Sequence, residues 1–103
     1  MARLAYNLIR TEQGVIVAVA DAELINRKLR ADNGVTVEIS EEFFGGRIGD
    51  EEEVARALVE ADMAVIVGAR AFSLARGLGL VAPGSEIYIE DVPYVQVFRS
   101  LIL

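Results

Sequence analysis

The sequence predicts a single mixed α/β domain in which an N-terminal antiparallel hairpin and a C-terminal right-handed βαβ unit share one sheet. Two apolar segments, 2–9 and 15–20, flank a short connection that contains Gly14, and this pattern predicts the hairpin. The segments 63–67 and 86–90 resemble strands and a helical pattern lies between them, which predicts the βαβ unit with parallel strands. No internal repeat or linker interrupts the 103 residues, so one core is expected.

Local patterns predict the elements of the first half. Both faces of the segment 15–20 are apolar, which is typical of a central strand. Asp21 is predicted to cap a helix over 22–30, because apolar residues recur there at helical spacing before Asn33-Gly34 ends the pattern. Apolar and polar residues alternate over 35–40, which predicts a strand with one exposed face.

The middle of the chain combines a glycine-rich segment with an acidic run. Residues 41–49 contain three glycines around two phenylalanines and Arg47, and we expect a loop with aromatic anchors there. The acidic run that begins at Asp50 has the form of a capping box and suits the positive end of a helix dipole. Apolar residues follow at helical spacing, so we predict a helix over 51–61.

The C-terminal segment carries a prediction about assembly. A helix is expected over 69–78, and the tail 93–103 is expected to form a last strand, or a strand followed by a short helix. Neither face of a strand in this tail would be wholly polar. Because an apolar strand at a sheet edge exposes unpaired backbone groups, we expect a homodimer whose contact includes residues 95–103.

Composition excludes several kinds of chemistry. The chain has no cysteine and no histidine, which excludes Ser-His-Asp and Cys-His catalysis, histidine proton shuttles and the common zinc sites. The carboxylates and tyrosines that remain give no sign of converging in a pocket. We therefore assign no catalytic residue, no metal and no cofactor. Whether the chain is an enzyme stays open, and its composition favours a protein without enzymatic activity.

Charge and hydropathy limit the partners. The net charge of −6 opposes binding to duplex DNA and to anionic membranes, and it favours a protein partner. The longest unbroken apolar run, Val15–Ala20, is far shorter than the roughly 20 residues of a membrane-spanning helix. The N-terminus has neither the apolar core nor the cleavage site of a secretory signal, so we expect a cytoplasmic protein that does not bind membranes.

Gly68 and Arg70 form one candidate binding site. Gly68 lies at a predicted strand-to-helix turn, where the next N–H groups would point outward beside Arg70 and could bind an anion. The alternative is that Gly68 only allows close packing of the helix on the sheet while Arg70 is hydrated. The string Gly77–Ala82 matches a dinucleotide-binding pattern, but it lies at a helix end, where a C-cap explains its glycines better.

The glycine-rich segment is a second candidate site. Phe44, Gly45 and Gly46 precede Arg47, and aromatic residues on such a loop are common in recognition surfaces. The alternative is that Phe43 and Phe44 close the open end of the core.

Five segments in order along the chain resemble the small archaeal family known as domain of unknown function 424. They are Val17–Leu24, Val37–Gly46, Ile66–Ala71, Leu74–Leu80 and Val92–Val97. Two departures are Ala20, where the family tends to have cysteine, and Tyr94, where it tends to have histidine. The resemblance implies an archaeal cytosolic protein without an established activity. Its pattern shares six positions with this chain, namely Asp21, Gly45, Gly46, Gly68, Pro93 and Gln96.

The leading hypothesis is a non-enzymatic binding or accessory protein of the archaeal cytosol, with a partner in translation or RNA processing. Its surface would lie near Asp21, the Phe44–Gly46 segment and the Tyr94–Gln96 segment. The alternative is a small enzyme or sensor that binds an anionic metabolite at the Gly68–Arg70 turn. A concave site that joins these residues would favour the alternative, and a flat apolar patch around Phe44 would favour the leading hypothesis.

Overall fold

The computed structural model describes residues 3–82 and 84–98, which form a mixed sheet with helices and a small second sheet packed on it. The strands are β1 (Leu4–Thr11), β2 (Gly14–Asp21), β3 (Lys28–Arg30), β4 (Thr36–Glu38), β5 (Arg47–Gly49), β6 (Met63–Val67), β7 (Ile87–Ile89) and β8 (Val92–Phe98). The helices are α1 (Glu41–Phe44), α2 (Glu51–Val59) and α3 (Ala69–Gly77). Within these ranges no helix has the length and apolar composition needed to cross a bilayer.

The main sheet confirms the predicted fold class. Its six strands lie in the order β5-β1-β2-β6-β8-β7, and β3 and β4 form the separate two-stranded sheet. β1 and β2 form the predicted hairpin, with Leu4 opposite Asp21 at one end and Thr11 opposite Gly14 at the other. β2 pairs in parallel with β6, whereas the other neighbouring strands of the sheet are antiparallel.

The core has two apolar layers, one on each face of the main sheet. On the first face, α2 and α3 cover β1, β2, β6 and β8, and the fully buried Leu58 and Ile66 belong to this layer. On the second face, β3, β4 and α1 cover alanine and valine side chains of β2 and β6, and the buried Leu29, Ile39 and Phe44 belong to that layer. β2 is buried on both faces, as expected of a central strand.

The predicted helix over 22–30 is wrong. A single 3-10 turn, Ala22–Leu24, follows β2, and the chain then forms β3. In β3, Leu29 is buried between exposed neighbours and lies opposite Val37, so the period is two and not 3.6. Three apolar residues at helical spacing did not distinguish a helix from a turn followed by a short strand, and pairing with β4 decided the outcome.

The C-terminal part has the predicted order of strand, helix and strand along the chain. In the sheet, however, a further strand lies between the two predicted strands. The predicted strands 63–67 and 86–90 correspond to β6 and β7, and the predicted helix 69–78 corresponds to α3. β8 pairs antiparallel with both strands and lies between them, so β6 and β7 run in the same direction without pairing. The predicted tail forms β8 as far as Phe98, and its residues 99–103 lie outside the described residues.

Helix α2 begins where the acidic run predicted. The Asp50 carboxylate accepts a hydrogen bond of 2.9 Å from the Glu53 N–H, and three glutamates occupy the first turn. The Glu53 side chain does not complete the capping box, because its carboxylate accepts the hydroxyl hydrogen of Tyr6. The helix thus begins at an ordinary N-cap, and Glu53 links it to β1.

Replacing the cap tests this helix start. We expect Asp50→Ala to lower the free energy of unfolding by about 0.5–2 kcal/mol, because the Glu53 N–H loses its acceptor at the positive end of the helix. Urea unfolding followed by circular dichroism measures the change. Asp32→Ala replaces an exposed aspartate outside any helix and serves as the control. An equal effect of the two substitutions would contradict the cap.

The hydrogen bond between Tyr6 and Glu53 predicts a loss of stability at alkaline pH. Tyr6 is buried, and both its burial and the Glu53 carboxylate raise the pKa of its hydroxyl above 10.0. A raised pKa in the folded state means that the stabilisation is complete below pH 10 and is lost as the pH rises through the folded-state pKa. We expect Tyr6→Phe to flatten the decline of unfolding free energy as the pH rises above 10.0. An unchanged slope in the variant would show that other groups cause the decline.

Candidate functional site

The parallel pairing of β2 and β6 brings several predicted site residues to one edge of the sheet. Ala20 of β2 lies opposite Val67 of β6, so Asp21 and Gly68, the next residues along the two strands, lie at adjacent strand ends. On the other side of β6, Val67 lies opposite Tyr94, and the Gly68 N–H donates to the Pro93 carbonyl at 2.9 Å. The carboxyl ends of parallel strands are a common position for ligand sites in α/β proteins.

The Asp21 carboxylate already occupies the predicted anion position. It accepts hydrogen bonds from the Arg70 N–H at 3.2 Å and from the Ala71 N–H at 2.9 Å, both in the first turn of α3. Asp21 is only 4% exposed, and its carboxylate does not cap the turn that follows it in sequence. The N–H groups do point out of the helix as predicted, but the chain supplies their anion from β2.

Gly68 is required for this contact in two ways. Its φ of +114° lies in a region that residues with a side chain rarely adopt. A Cβ at this position would also lie 2.4 Å from the carboxylate carbon of Asp21. The structure therefore supports close approach as the role of Gly68. A metabolite anion at this turn would have to displace Asp21.

The other end of the same strand pair has a similar arrangement. The Asp62 carboxylate, just before β6, accepts from the Val15 N–H at 2.8 Å, and the Asp62 N–H donates to the Val15 carbonyl at 2.9 Å. Gly14 has a φ of +131°, and a Cβ there would lie 2.2 Å from an Asp62 oxygen. One glycine and one aspartate thus bracket each end of the parallel pair, which is a structural role.

The Arg70 side chain is also engaged within the chain. Its guanidinium donates to the Glu23 carboxylate, and this hydrogen bond lowers the pKa of Glu23. The same contact raises the pKa of Arg70, so both groups stay charged at neutral pH. The pair is partly exposed, and it leaves Arg70 committed to an internal partner.

Phe44 faces the core, whereas Gly45 is half-buried and Gly46 is exposed. Residues Glu41–Phe44 form α1, capped by the Ser40 hydroxyl, and Phe44 is 4% exposed in the layer under β3 and β4. A Cβ on Gly45 would lie 3.1 Å from the Glu41 carbonyl oxygen, and a Cβ on Gly46 would lie 2.8 Å from the Asn7 amide oxygen. The structure therefore favours the core alternative for Phe44, and the predicted loop over 41–49 is corrected to α1 and β5.

Tyr94 and Gln96 are placed differently from the other predicted site residues. The Gln96 side-chain amide donates to the Tyr94 hydroxyl at 3.1 Å, and Gln96 is exposed. Tyr94 is half-buried and lines a surface cleft. It is the one residue of the predicted set that belongs to this cleft.

The cleft, which we call the hairpin cleft, lies between the β3–β4 hairpin and the β7–β8 hairpin. Its volume is about 450 Å³. Its lining consists of Ala31, Asp32, Asn33, Val35, Val37, Ile87, Tyr88, Ile89 and Tyr94. Three of these side chains, Val35, Ile87 and Tyr88, are 55%, 59% and 60% exposed, and no other large apolar side chain of the described ranges is more exposed.

Turn geometry holds the two walls of the hairpin cleft. The β7–β8 connection has positive φ at Glu90 and Asp91, as in a tight two-residue hairpin turn. The Glu90 carboxylate then accepts from the Arg30 N–H of β3 at 2.6 Å, which joins the two hairpins. On the opposite wall, the Asn33 side chain accepts from the Val35 N–H at 3.0 Å within the β3–β4 turn. The walls are thus preformed.

The hairpin cleft has few polar groups in its lining. Its lining is mainly apolar, and Asp32 is the one charged residue in it. Tyr88 donates its hydroxyl to Glu86, which raises the pKa of this phenol and keeps it neutral at physiological pH. Over residues 3–82 and 84–98, no three acidic side chains come close enough to hold a metal ion.

A family comparison identifies the chain's relatives. The model of the family described as Protein of unknown function (DUF424) matches residues 9–100. The chain belongs to this family. The DUF424 fold is also similar to a solved structure, described as an uncharacterized conserved protein from Methanopyrus kandleri, with a TM-score of 0.79 at 26% identity. That likeness covers 99% of this chain and 98% of the other, whereas no curated protein matches this DUF424 member.

Proposed function

We propose that this protein is a non-enzymatic binding protein that takes an extended, apolar segment of a protein partner in the hairpin cleft. One observation carries the proposal: the three described residues with the most exposed large apolar side chains, Val35, Ile87 and Tyr88, all belong to the lining of this one cleft. Isolated exposed apolar residues are ordinary, but their convergence on one concavity is typical of an interaction site.

The edge strand β7 supports an extended segment as the ligand. Because the Gly68 N–H donates to the Pro93 carbonyl, the polar backbone groups of Pro93 face β6 and not β7. Tyr88 lies opposite Pro93, so the N–H and C=O of Tyr88 point away from β8, toward the open edge of the sheet. A partner strand could pair with these groups while its side chains enter the cleft.

Charge around the hairpin cleft favours a basic flank on the partner segment. Asp32 lies in the lining, Glu86 precedes β7 and Glu90 lies in the turn after it. A partner with lysine or arginine beside its apolar residues would meet opposite charge on the rim. The net charge of −6 favours the same class of partner.

The biological setting is part of this proposal. The resemblance to an archaeal family and the source of the similar structure, Methanopyrus kandleri, support an archaeal protein. A cytosolic location and a partner in translation or RNA processing follow from the sequence hypothesis alone. An anionic metabolite at the Gly68–Arg70 turn is disfavoured, since Asp21 accepts from the N–H groups of the turn and Glu23 accepts from one terminal nitrogen of the Arg70 guanidinium.

Peptide selection tests the hairpin cleft directly. A random peptide library displayed on phage is selected against the wild-type protein, and binding is then measured to Ile87→Lys and to Val59→Lys. Val59 on α2 is 52% exposed and lies outside the cleft, so it is a matched control for Ile87 at 59%. We expect selected peptides with apolar residues beside lysine or arginine, which bind Ile87→Lys at least about tenfold more weakly and Val59→Lys unchanged.

Two results would contradict the proposed function. Peptides that bind Ile87→Lys as well as wild type would place the site elsewhere. Amide chemical-shift changes confined to residues outside β3, β4 and β7 on addition of a selected peptide would have the same meaning.

A further inference from the structure

A row of large apolar side chains crosses the second face of the main sheet at the end away from Asp21. Strand registers place Ile9 opposite Ile16, Ile16 opposite Met63, and Met63 opposite Phe98. The row therefore runs over four adjacent strands on one face and ends at β8. Three of its members are half-buried, and Phe98 at its end is 50% exposed.

This row is separate from the core and from the hairpin cleft. The second layer, formed by β3, β4 and α1, contains Ala18 and Val65 of the same face but none of the four row residues. A pocket of about 300 Å³ lies beside the row and is lined by Ile16, Met63 and Phe98, with the β1–β2 turn at its rim. The row thus remains an apolar surface among the described residues.

The row ends at an open strand edge. β7 pairs only with Val92–Tyr94, so β8 has no described partner on that side from Val95 to Phe98. Backbone groups alternate in direction along an antiparallel strand, and those of Pro93 face β6. Those of Val95 and Val97 therefore also face β6, whereas the N–H and C=O of Gln96 and Phe98 point outward.

Charge on this edge suits a second copy of the chain. Two molecules of net charge −6 repel each other, and this repulsion is smallest where the contact surface carries few acid groups. Among the residues that line the pocket beside Phe98, Asp62 is the one acid, and its carboxylate accepts from the Val15 N–H. The glutamates of α2 lie on the other face of the sheet.

We propose that two copies of the chain pair antiparallel along the open part of β8, from Val95 to Phe98, about a two-fold axis. A strand edge is complementary to itself in this orientation, so the outward groups of Gln96 and Phe98 find partners in both copies at once. The two apolar rows then meet at Phe98. The predicted contact continued to residue 103, and its part from 99 onward lies outside the described residues.

The structure changes the reason for expecting a dimer. The sequence expectation treated the tail as an edge strand along its whole length. β8 is instead an interior strand over Val92–Tyr94 and an edge strand over Val95–Phe98, because β7 is only three residues long. The proposed contact is therefore shorter and lies at one end of the strand.

Sedimentation equilibrium tests the pairing. At about 100 μM, wild type is expected at twice 11.2 kDa, because the strand edges and the apolar rows of two copies pair. Phe98→Lys places a charge on the edge, and we expect at least about a tenfold increase in the dimer dissociation constant. Ile48→Lys is the matched control, since Ile48 is also 50% exposed but lies on β5 at the opposite edge, and it is expected to remain dimeric.

A second variant separates loss of pairing from loss of folding. Gln96→Pro removes an outward N–H without removing a hydrogen bond to β6, so the variant is expected to fold and to be monomeric. A melting temperature near that of wild type confirms folding of either variant. A wild-type monomer at about 100 μM would overturn the proposal. A folded Phe98→Lys or Gln96→Pro variant that dimerises as tightly as wild type would also overturn it.

Discussion

Gly68→Ala is expected to lower the free energy of unfolding by about 2–6 kcal/mol. Two costs add at this position. A residue with a side chain is strained by about 1–3 kcal/mol in the conformation of Gly68, where φ is +114°. Its Cβ would also lie 2.4 Å from the Asp21 carboxylate carbon, so the carboxylate must move away from the N–H groups of α3 at a further cost of about 1–3 kcal/mol.

A second glycine separates these two costs. Gly79 also has a positive φ, of +77°, but a Cβ there meets no atom within 4 Å. Gly79→Ala is therefore expected to cost only the conformational part, about 1–2 kcal/mol. Urea unfolding of both variants, followed by circular dichroism, gives the comparison. Equal losses would show that the contact with Asp21 contributes nothing.

Asp21→Ala is expected to lower the free energy of unfolding by about 2–3 kcal/mol. The substitution leaves the Arg70 and Ala71 N–H groups without their acceptor and removes a negative charge from the N-terminus of α3. Because Asp21 is almost completely buried, water replaces its oxygens poorly. Asp32→Ala, at an exposed position, is expected to change stability by less than about 0.5 kcal/mol.

The same variant distinguishes an internal cap from a metabolite site. If Asp21 is the anion for which this turn is built, acetate should raise the melting temperature of Asp21→Ala more than that of wild type, because only the variant has free N–H groups there. Wild type that binds phosphate or a carboxylate stoichiometrically at Arg70 would contradict the assignment. Amide hydrogen exchange at Arg70 and Ala71 reports the same site, and faster exchange in Asp21→Ala is expected.

Asp21 and Gly68 have partners within the chain: the Asp21 carboxylate accepts from N–H groups of α3, and the Gly68 N–H donates to the Pro93 carbonyl. Both follow paired residues at the ends of adjacent parallel strands, so each is held by the sheet. Gly14 and Asp62 repeat the arrangement at the other end of the pair. A glycine and an acidic residue at such a position can thus have a purely structural role. A motif that contains them does not by itself indicate a catalytic or ligand-binding site.

The sequence by itself determined the elements whose signals are local. The hairpin of β1 and β2, the helix that begins after Asp50 and the apolar strand β6 each depend on a turn, a cap or a continuous apolar run within a few residues. The family resemblance was also readable, since it rests on short strings in order. It is confirmed by the family match over residues 9–100.

The tertiary structure decided which hydrogen-bond acceptor pairs with which donor. An aspartate before an alanine and a glutamate has the form of a local cap, so Asp21 predicted a helix over 22–30. Its carboxylate instead binds N–H groups about 50 residues further along the chain, because parallel pairing of β2 and β6 places them at the same sheet end. Local spacing contains no information about that partner, and Leu29 likewise became a strand residue only through its pairing with Val37.

The order of strands in the sheet decided where the surfaces lie. Val35, Ile87 and Tyr88 have the same strand-forming character as residues of the core, and the sequence gives each an apolar face without saying what covers it. They are exposed because β7 is the last strand of the sheet and the β3–β4 hairpin stands beside it. Conversely, Phe44 followed by two glycines had the composition of a recognition loop but is buried under β3 and β4. Exposure at an edge depends on non-local pairing, which composition and periodicity do not encode.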